Sequence, residues 1–165
     1  MRMRINEERQ MTDGPYAELT QLGRNVDIPT RPEDSLLETF HNQNPKTDYV
    51  VRITAPELTT LCPITGQPDF ATLIIDYVPR AKLVESKSFK LFLESFRNYG
   101  TFNEDCTVYI HGRLKDALEP KYIRVTGIWS ARGGVTIDVV IESGILPPNC
   151  IPLPLDRIAY RGGRV

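Results

Sequence analysis

The chain has 165 residues, 41% hydrophobic and 25% charged, with a formal net charge of -1. A chain of this length buries roughly 70% of its unfolded surface, so one ordinary globular domain is expected over residues 1–165. With no basic surplus to neutralise phosphates, a duplex nucleic acid is a poor main partner, whereas a small charged molecule stays open.

Cys62, Cys106 and Cys150 are odd in number and widely spaced, unlike a secreted disulfide framework. The opening MRMRINEERQ has arginines but no following apolar run, so it does not read as a signal peptide. No stretch approaches the roughly 18 apolar residues of a membrane helix. The cytoplasm is the expected location, with no membrane partner.

Residues 1–45 are polar and broken by Pro15, Pro29, Pro32 and Pro45. They read as mostly irregular, with a short helix near 33–40. DYVVRITA (48–55) is rich in β-branched and aromatic residues and predicts a strand that ends, or sits at an edge, at Pro56. LCPITGQPDF (61–70) follows as a loop with turn dipeptides Thr65-Gly66 and Pro68-Asp69. FATLIIDYV (70–78) predicts the next strand, with Ala71, Leu73, Ile75 and Tyr77 on one face and Phe70, Thr72, Ile74 and Asp76 on the other.

In VESKSFKLFLESFRNYG, Phe89, Phe92, Leu93 and Phe96 recur at helical spacing, and Gly100 reads as the stop. A second helix is expected over 104–118. Asn103 is its candidate N-cap, Glu104 and Asp105 suit the helix dipole, and Ile110, Leu114 and Leu118 form the buried stripe. A hairpin follows, 121–130 and 135–142 about a turn at Arg132-Gly133-Gly134. The tail from residue 145 to 165 carries four prolines and reads as extended and irregular. The sum is an α+β pattern of antiparallel strand pairs with two helices between them. Four strands leave open edges, which neighbouring subunits are one way to cover.

Cys62 reads either as a buried structural cysteine or as a thiolate nucleophile. Asp69 lies one turn-rich excursion later, so the two side chains can converge. A metal site is not expected: there is no CxxC, and His41 and His111 are far away in sequence. Lys87 and Lys90 share a helical face, either solvated or binding phosphate as point charges. Arg132 beside Gly133 is an ordinary hairpin arginine or an anion clamp. Glu104 is a helix-start acid or a reader of a guanine-like edge. Cys106 is a core cysteine or, if near Cys62, its partner in a reversible disulfide.

Taken together, LCPITGQPDF, VESKSFKLFLESFRN, EDC and ARGGVTID resemble the short form of 7-cyano-7-deazaguanine (preQ0) reductase, the NADPH-dependent nitrile reductase of queuosine biosynthesis. The similarity spans roughly Leu61 to Asp138. It implies the tunnelling fold, in which both helices pack on one face of the sheet and subunits close multi-subunit β-barrel rings. A homo-oligomer is implied, a decamer of two pentamers, with active sites at subunit boundaries.

By the same resemblance Cys62 attacks the nitrile carbon of preQ0 to give a thioimide, and Asp69 moves protons. Val84, Glu85, Ser86, Asn103 and Glu104 match substrate-binding positions. Lys87, Lys90, Arg132 and Gly133 match positions for the NADPH phosphates. The family carries histidine where this chain has Asn103, and again where it has Tyr99; asparagine cannot carry a proton near neutral pH. Two other readings share the motifs. One is an amidinotransferase-like paralogue acting on preQ0-modified tRNA without NADPH. The other is a non-catalytic oligomeric binding protein. The intact ESKSFK segment and near-neutral charge favour reduction over transfer.

Overall fold

The computed structural model describes residues 16–152 and 154–155. Its main sheet is antiparallel and contains β2 (Val51–Leu61), β3 (Pro68–Val78), β5 (Tyr122–Arg132) and β6 (Val135–Gly144), side by side in that order. A two-stranded sheet pairs β1 (Thr39–His41) with β4 (Lys82–Val84). Two helices, α1 (Ser86–Glu94) and α2 (Asn103–Leu118), separate the strand pairs. The expected α+β order therefore holds, and the small sheet is an addition to it.

The alternation along β3 decides which face is buried. Ala71, Leu73, Ile75 and Tyr77 all enter the core. They meet Phe89 and Phe92 of α1, Phe96 just beyond it, and Cys106, Ile110, Leu114 and Leu118 of α2. Both helices thus cover one face of the sheet. On the opposite face Asp76 is buried between two arginines. Arg52 donates to it at 2.6 and 2.7 Å, and Arg124 at 2.6 Å. A buried carboxylate needs such partners, because an uncompensated charge away from water is costly.

Four expectations change. No helix forms over 33–40: Pro32–Asp34 is a single 3-10 turn, and β1 follows. Long-range hydrogen bonds hold Glu38 extended. Its amide donates to Ser88 Oγ, its carbonyl accepts from the Glu85 amide, and its carboxylate accepts from Thr20 and Gln21. Tertiary partners outweigh local propensity here. β2 does not end at Pro56. It runs on to Leu61 through a register shift between Ala55 and Leu58, which an edge strand tolerates at proline.

α1 stops at Glu94 rather than at Gly100, and turns occupy 95–98. The N-cap of α2 is Phe102, not Asn103, which is the first helical residue. Asn103 is fixed there through its carbonyl, which accepts from Thr107 Oγ1 at 2.9 Å; that hydroxyl in turn accepts from Trp129 Nε1 at 3.2 Å. The tail has a turn closed by Cys150 N–H to the Pro147 carbonyl at 2.9 Å, and no helix or strand among its described residues. The remainder of the tail and residues 1–15 lie outside the described residues. Among those described, no helix is long and apolar enough to cross a membrane.

Gly127 is what lets α2 lie this close to β5. A Cβ there would stand 2.6 Å from Thr107 Oγ1 and 2.8 Å from Trp129 Nε1. Gly127→Ala is expected to destabilise the fold by about 1–3 kcal/mol through overpacking. Urea unfolding followed by the fluorescence of Trp129, the sole tryptophan, measures it; an unchanged midpoint would contradict the packing.

Candidate active site

The loop Cys62–Gln67 is closed by two backbone bonds. Cys62 N–H donates to the Gln67 carbonyl at 2.8 Å, and Gly66 N–H donates to the Cys62 carbonyl at 2.9 Å. Gly66 sits at φ +67°, where glycine has no steric penalty. The loop's ends are paired, Leu61 opposite Pro68, so Cys62 and Asp69 emerge from the same end of the sheet.

A second constraint acts on Leu61. Its N–H donates to the Tyr99 carbonyl and its carbonyl accepts from Thr101 N–H, both at 3.0 Å, a short parallel bridge around Gly100. A Cβ on Gly100 would lie 3.3 Å from Pro63 Cα, so the two segments are in tight contact. This fastens the start of α2 beside the cysteine loop. Between them lies a cavity of about 410 Å³ whose walls include Pro63, Tyr99, Phe102, Asp105 and Cys106. Asn103 is half-buried at the helix start, and Glu104 is exposed with no hydrogen-bond or ion-pair partner among the described residues.

Electrostatics separate the cysteines, all three of which are free thiols. The Cys62 thiol is brought down to about 6, first by hydrogen bonds from the Thr65 hydroxyl and amide, then by the Ile64 amide and Arg132. Burial pushes the Cys106 thiol up to about 12. The first is therefore far more readily ionised than the second, and thiolates are the nucleophiles. Thr65 was not singled out from the sequence; its place inside the turn-forming Thr-Gly pair was the available signal.

Arg132 closes the site from the last position of β5. Its Nη1 donates to both carboxylate oxygens of Asp69, at 2.8 and 3.0 Å, and the guanidinium is among the groups that lower the Cys62 thiol. The Cys62 sulfur, and then the Asp69 charge, raise the guanidinium's own pKa. A register shift between Trp129 and Arg132 leads into the turn. Gly133 and Gly134 have φ of +60° and +81°, with open space where a Cβ would be. Their backbone is open to a ligand.

The segment Val84, Glu85, Ser86 lies elsewhere. Val84 N–H donates to Tyr77 OH at 3.4 Å, near the far end of β3. The eight residue steps from Asp69 to Tyr77 span about 26 Å of strand. Within one chain this segment does not meet Cys62. Glu85, buried, caps α1 by accepting from the Lys87 and Ser88 amides at 2.8 and 2.7 Å. Ser86 Oγ donates to Glu85 Oε1 at 3.4 Å. Lys87 Nζ is engaged by the carbonyls of Gln21 and Arg24. Lys90 instead lines a groove at the β2 bulge with Arg97, Leu93 and Glu94, and neither cation is ion-paired among the described residues. Arg97, seven residues on from Lys90, is a cation that the sequence reading passed over.

The family model described as QueF-like protein matches residues 68–146. The NADPH-dependent 7-cyano-7-deazaguanine reductase of Syntrophobacter fumaroxidans is 65% identical over 150 residues, covering 91% of this chain and 97% of that one. The enzyme of the same description from Allorhizobium ampelinum is 59% identical over 145 residues, covering 87% and 94%. Among solved structures, the archaeosine synthase QueF-Like in its apo form superposes with a TM-score of 0.55 at 31% identity, over 59% of this chain and 96% of that one. With two antiparallel strand pairs, two helices on one face and a cysteine loop at the sheet end, the chain belongs to the QueF family of NADPH-dependent 7-cyano-7-deazaguanine reductases, in the tunnelling-fold superfamily.

Proposed function

We propose that this chain reduces the nitrile of preQ0 to the aminomethyl group of preQ1 with NADPH, in queuosine biosynthesis. The observation that carries this reading is the cysteine loop at the end of the sheet, with the Cys62 thiol brought down to about 6 and Asp69 held by Arg132. A nitrile carbon is a poor hydride acceptor until sulfur has added to it and its nitrogen is protonated. Cys62 forms the S–C bond, one C–N π bond opens, and the nitrogen takes up a proton that Asp69 relays from solvent. Glu104, exposed and unpaired beside the loop, accepts hydrogen bonds from the ring N–H and amino group. Asn103 supports the same ring from the helix start.

The open Gly133-Gly134 backbone and the unpaired Lys90 fit an anionic cofactor. Lys90, with Arg132 and Gly133 near the thiol, would hold its phosphates, whereas Lys87 is occupied by backbone carbonyls. Two NADPH, bound one after the other, would each supply one hydride, with the Cys62 thiol leaving in between.

Val84, Glu85 and Ser86 complete the substrate pocket of a neighbouring copy. Their distance from Cys62 in one chain and the two open sheet edges, β2 and β6, support a ring of subunits, which we read as a decamer of two pentamers. Each subunit is one domain, 1–165, working in the cytoplasm.

Two experiments test the assignment. Adding preQ0 should start oxidation of NADPH by the wild type and not by Cys62→Ala. Because the Cys62 thiol is depressed to about 6, its reactive form is present above that pH and lost below it. The initial rate should therefore fall as pH drops through about 6; a rate that is flat down to pH 5 would contradict the thiolate. The shared pocket predicts that Cys62→Ala and Glu85→Gln, each inactive alone, regain NADPH oxidation when coexpressed as mixed assemblies. Mixed assemblies as inactive as the parents would place the whole pocket in one chain.

A further inference from the structure

Lys87 matches a cofactor-phosphate position by resemblance, yet its ammonium is spent on the chain's own backbone. Nζ donates to the Gln21 carbonyl at 2.7 Å and to the Arg24 carbonyl. The same segment, residues 20–24, is seated from its other end by Glu38. One oxygen of that carboxylate accepts from the Thr20 amide at 2.6 Å and the Thr20 hydroxyl at 2.7 Å, and the other accepts from the Gln21 amide at 3.1 Å. Leu19 and Gln21 are buried, and Gln21 Nε2 donates to the Leu36 carbonyl at 3.0 Å. With its own peptide Glu38 grips the start of α1. Its amide donates to Ser88 Oγ at 3.0 Å, and its carbonyl accepts from the Glu85 amide at 2.9 Å. The next residue, Thr39, pairs with Val84. The contacts close a circuit: residues 20–24 to Glu38, Glu38 to the chain from Val84 to Ser88, and Lys87 back to residues 20–24.

We infer that Glu38 and Lys87 are positioning residues for the substrate-binding segment 84–86: between them they hold residues 20–24 as a strap against the start of α1, and the strap fixes that segment's backbone. This rests on the reading of Val84, Glu85 and Ser86 as substrate-binding and adds what holds them in place. Glu38 is buried, and a buried carboxylate stripped of its donors is costly. If the strap leaves, Glu38 loses three donors at once. Its side chain then regains water only by drawing its peptide away from Glu85, Ser88 and β4. Disorder in the strap therefore passes directly to residues 84–88. The rival role for Lys87 is a phosphate ligand that the strap covers until the cofactor displaces it. The two roles give opposite signs. If the strap covers a ligand, loosening it strengthens NADPH binding. If it positions the substrate segment, loosening it weakens preQ0 binding and leaves NADPH binding alone.

Two full-length variants test this by initial rates, with preQ0 and NADPH varied in turn. Lys87→Met keeps the apolar stem and removes the charge and its donors. Thr20→Pro removes both bonds to one Glu38 oxygen, at an exposed residue. Each should raise KM for preQ0 about tenfold, the size of one hydrogen bond to a charged group, and leave KM for NADPH within about twofold of the wild type. Hydrogen exchange without either ligand gives the second readout. In both variants the amides of residues 20–24 and 84–88 should exchange faster together, with α2 unchanged. A KM for NADPH raised by Lys87→Met or lowered by Thr20→Pro, or exchange at 84–88 unchanged in both variants, would overturn the inference. Failure of the substrate reading is separate: exchange at 84–88 would quicken in both variants while KM for preQ0 stayed where it is in the wild type.

Discussion

The site depends on the backbone of Leu61. This one residue ends β2, begins the cysteine loop and, through paired 3.0 Å hydrogen bonds to Tyr99 and Thr101, receives the strand-like link between the helices. Pairing with β3 on one side brings Asp69 to the loop. Pairing with residues 99–101 on the other brings the start of α2. Gly100 allows this because its missing Cβ leaves Pro63 undisturbed. The Trp129–Thr107–Asn103 chain then fixes the same helix start from behind, against β5. Three elements distant in sequence are thereby held to one sheet end by backbone bonds, before any side-chain chemistry is considered.

Given that frame, local environment assigns different states to chemically identical groups. Cys62 is the chain neighbour of Pro63 on one wall of the cavity, while Cys106 lines the cavity from α2. Hydrogen-bond donors and a guanidinium surround the first, and apolar core surrounds the second. The arrangement resembles other enzymes in which one thiol among several is made reactive by its surroundings. Lys87 and Lys90 divide in the same way. One turn of helix apart, the first ties down the chain at Gln21 and Arg24, and the second stays open at the groove.

Much of this was legible in the sequence, for identifiable reasons. The period-two pattern of FATLIIDYV and the aromatic spacing of SKSFKLFLESF gave β3 and α1 because the burial that decides them is encoded locally. The four motif blocks gave the family. What local patterns could not give was anything set by long-range partners. Glu38 is extended because of Ser88 and Glu85, fifty and forty-seven positions on in sequence. Asn103 sits inside the helix rather than at its cap, with its carbonyl taken by the Thr107 hydroxyl, which Trp129 holds in turn. Glu85, a poor capping residue by preference, caps α1 because its carboxylate reaches two amides. Arg132 meets Asp69, sixty-three positions earlier, through a strand pairing that no propensity encodes.

The most direct measurement of the central claim is intact-protein mass spectrometry after incubation with preQ0 alone. The wild type should gain the mass of one preQ0 per chain, on the peptide carrying Cys62, with no gain in Cys62→Ala. The gain should be lost when NADPH is added and turnover completes. A wild-type mass that never changes, or an adduct carried by Cys106 or Cys150, would contradict the account.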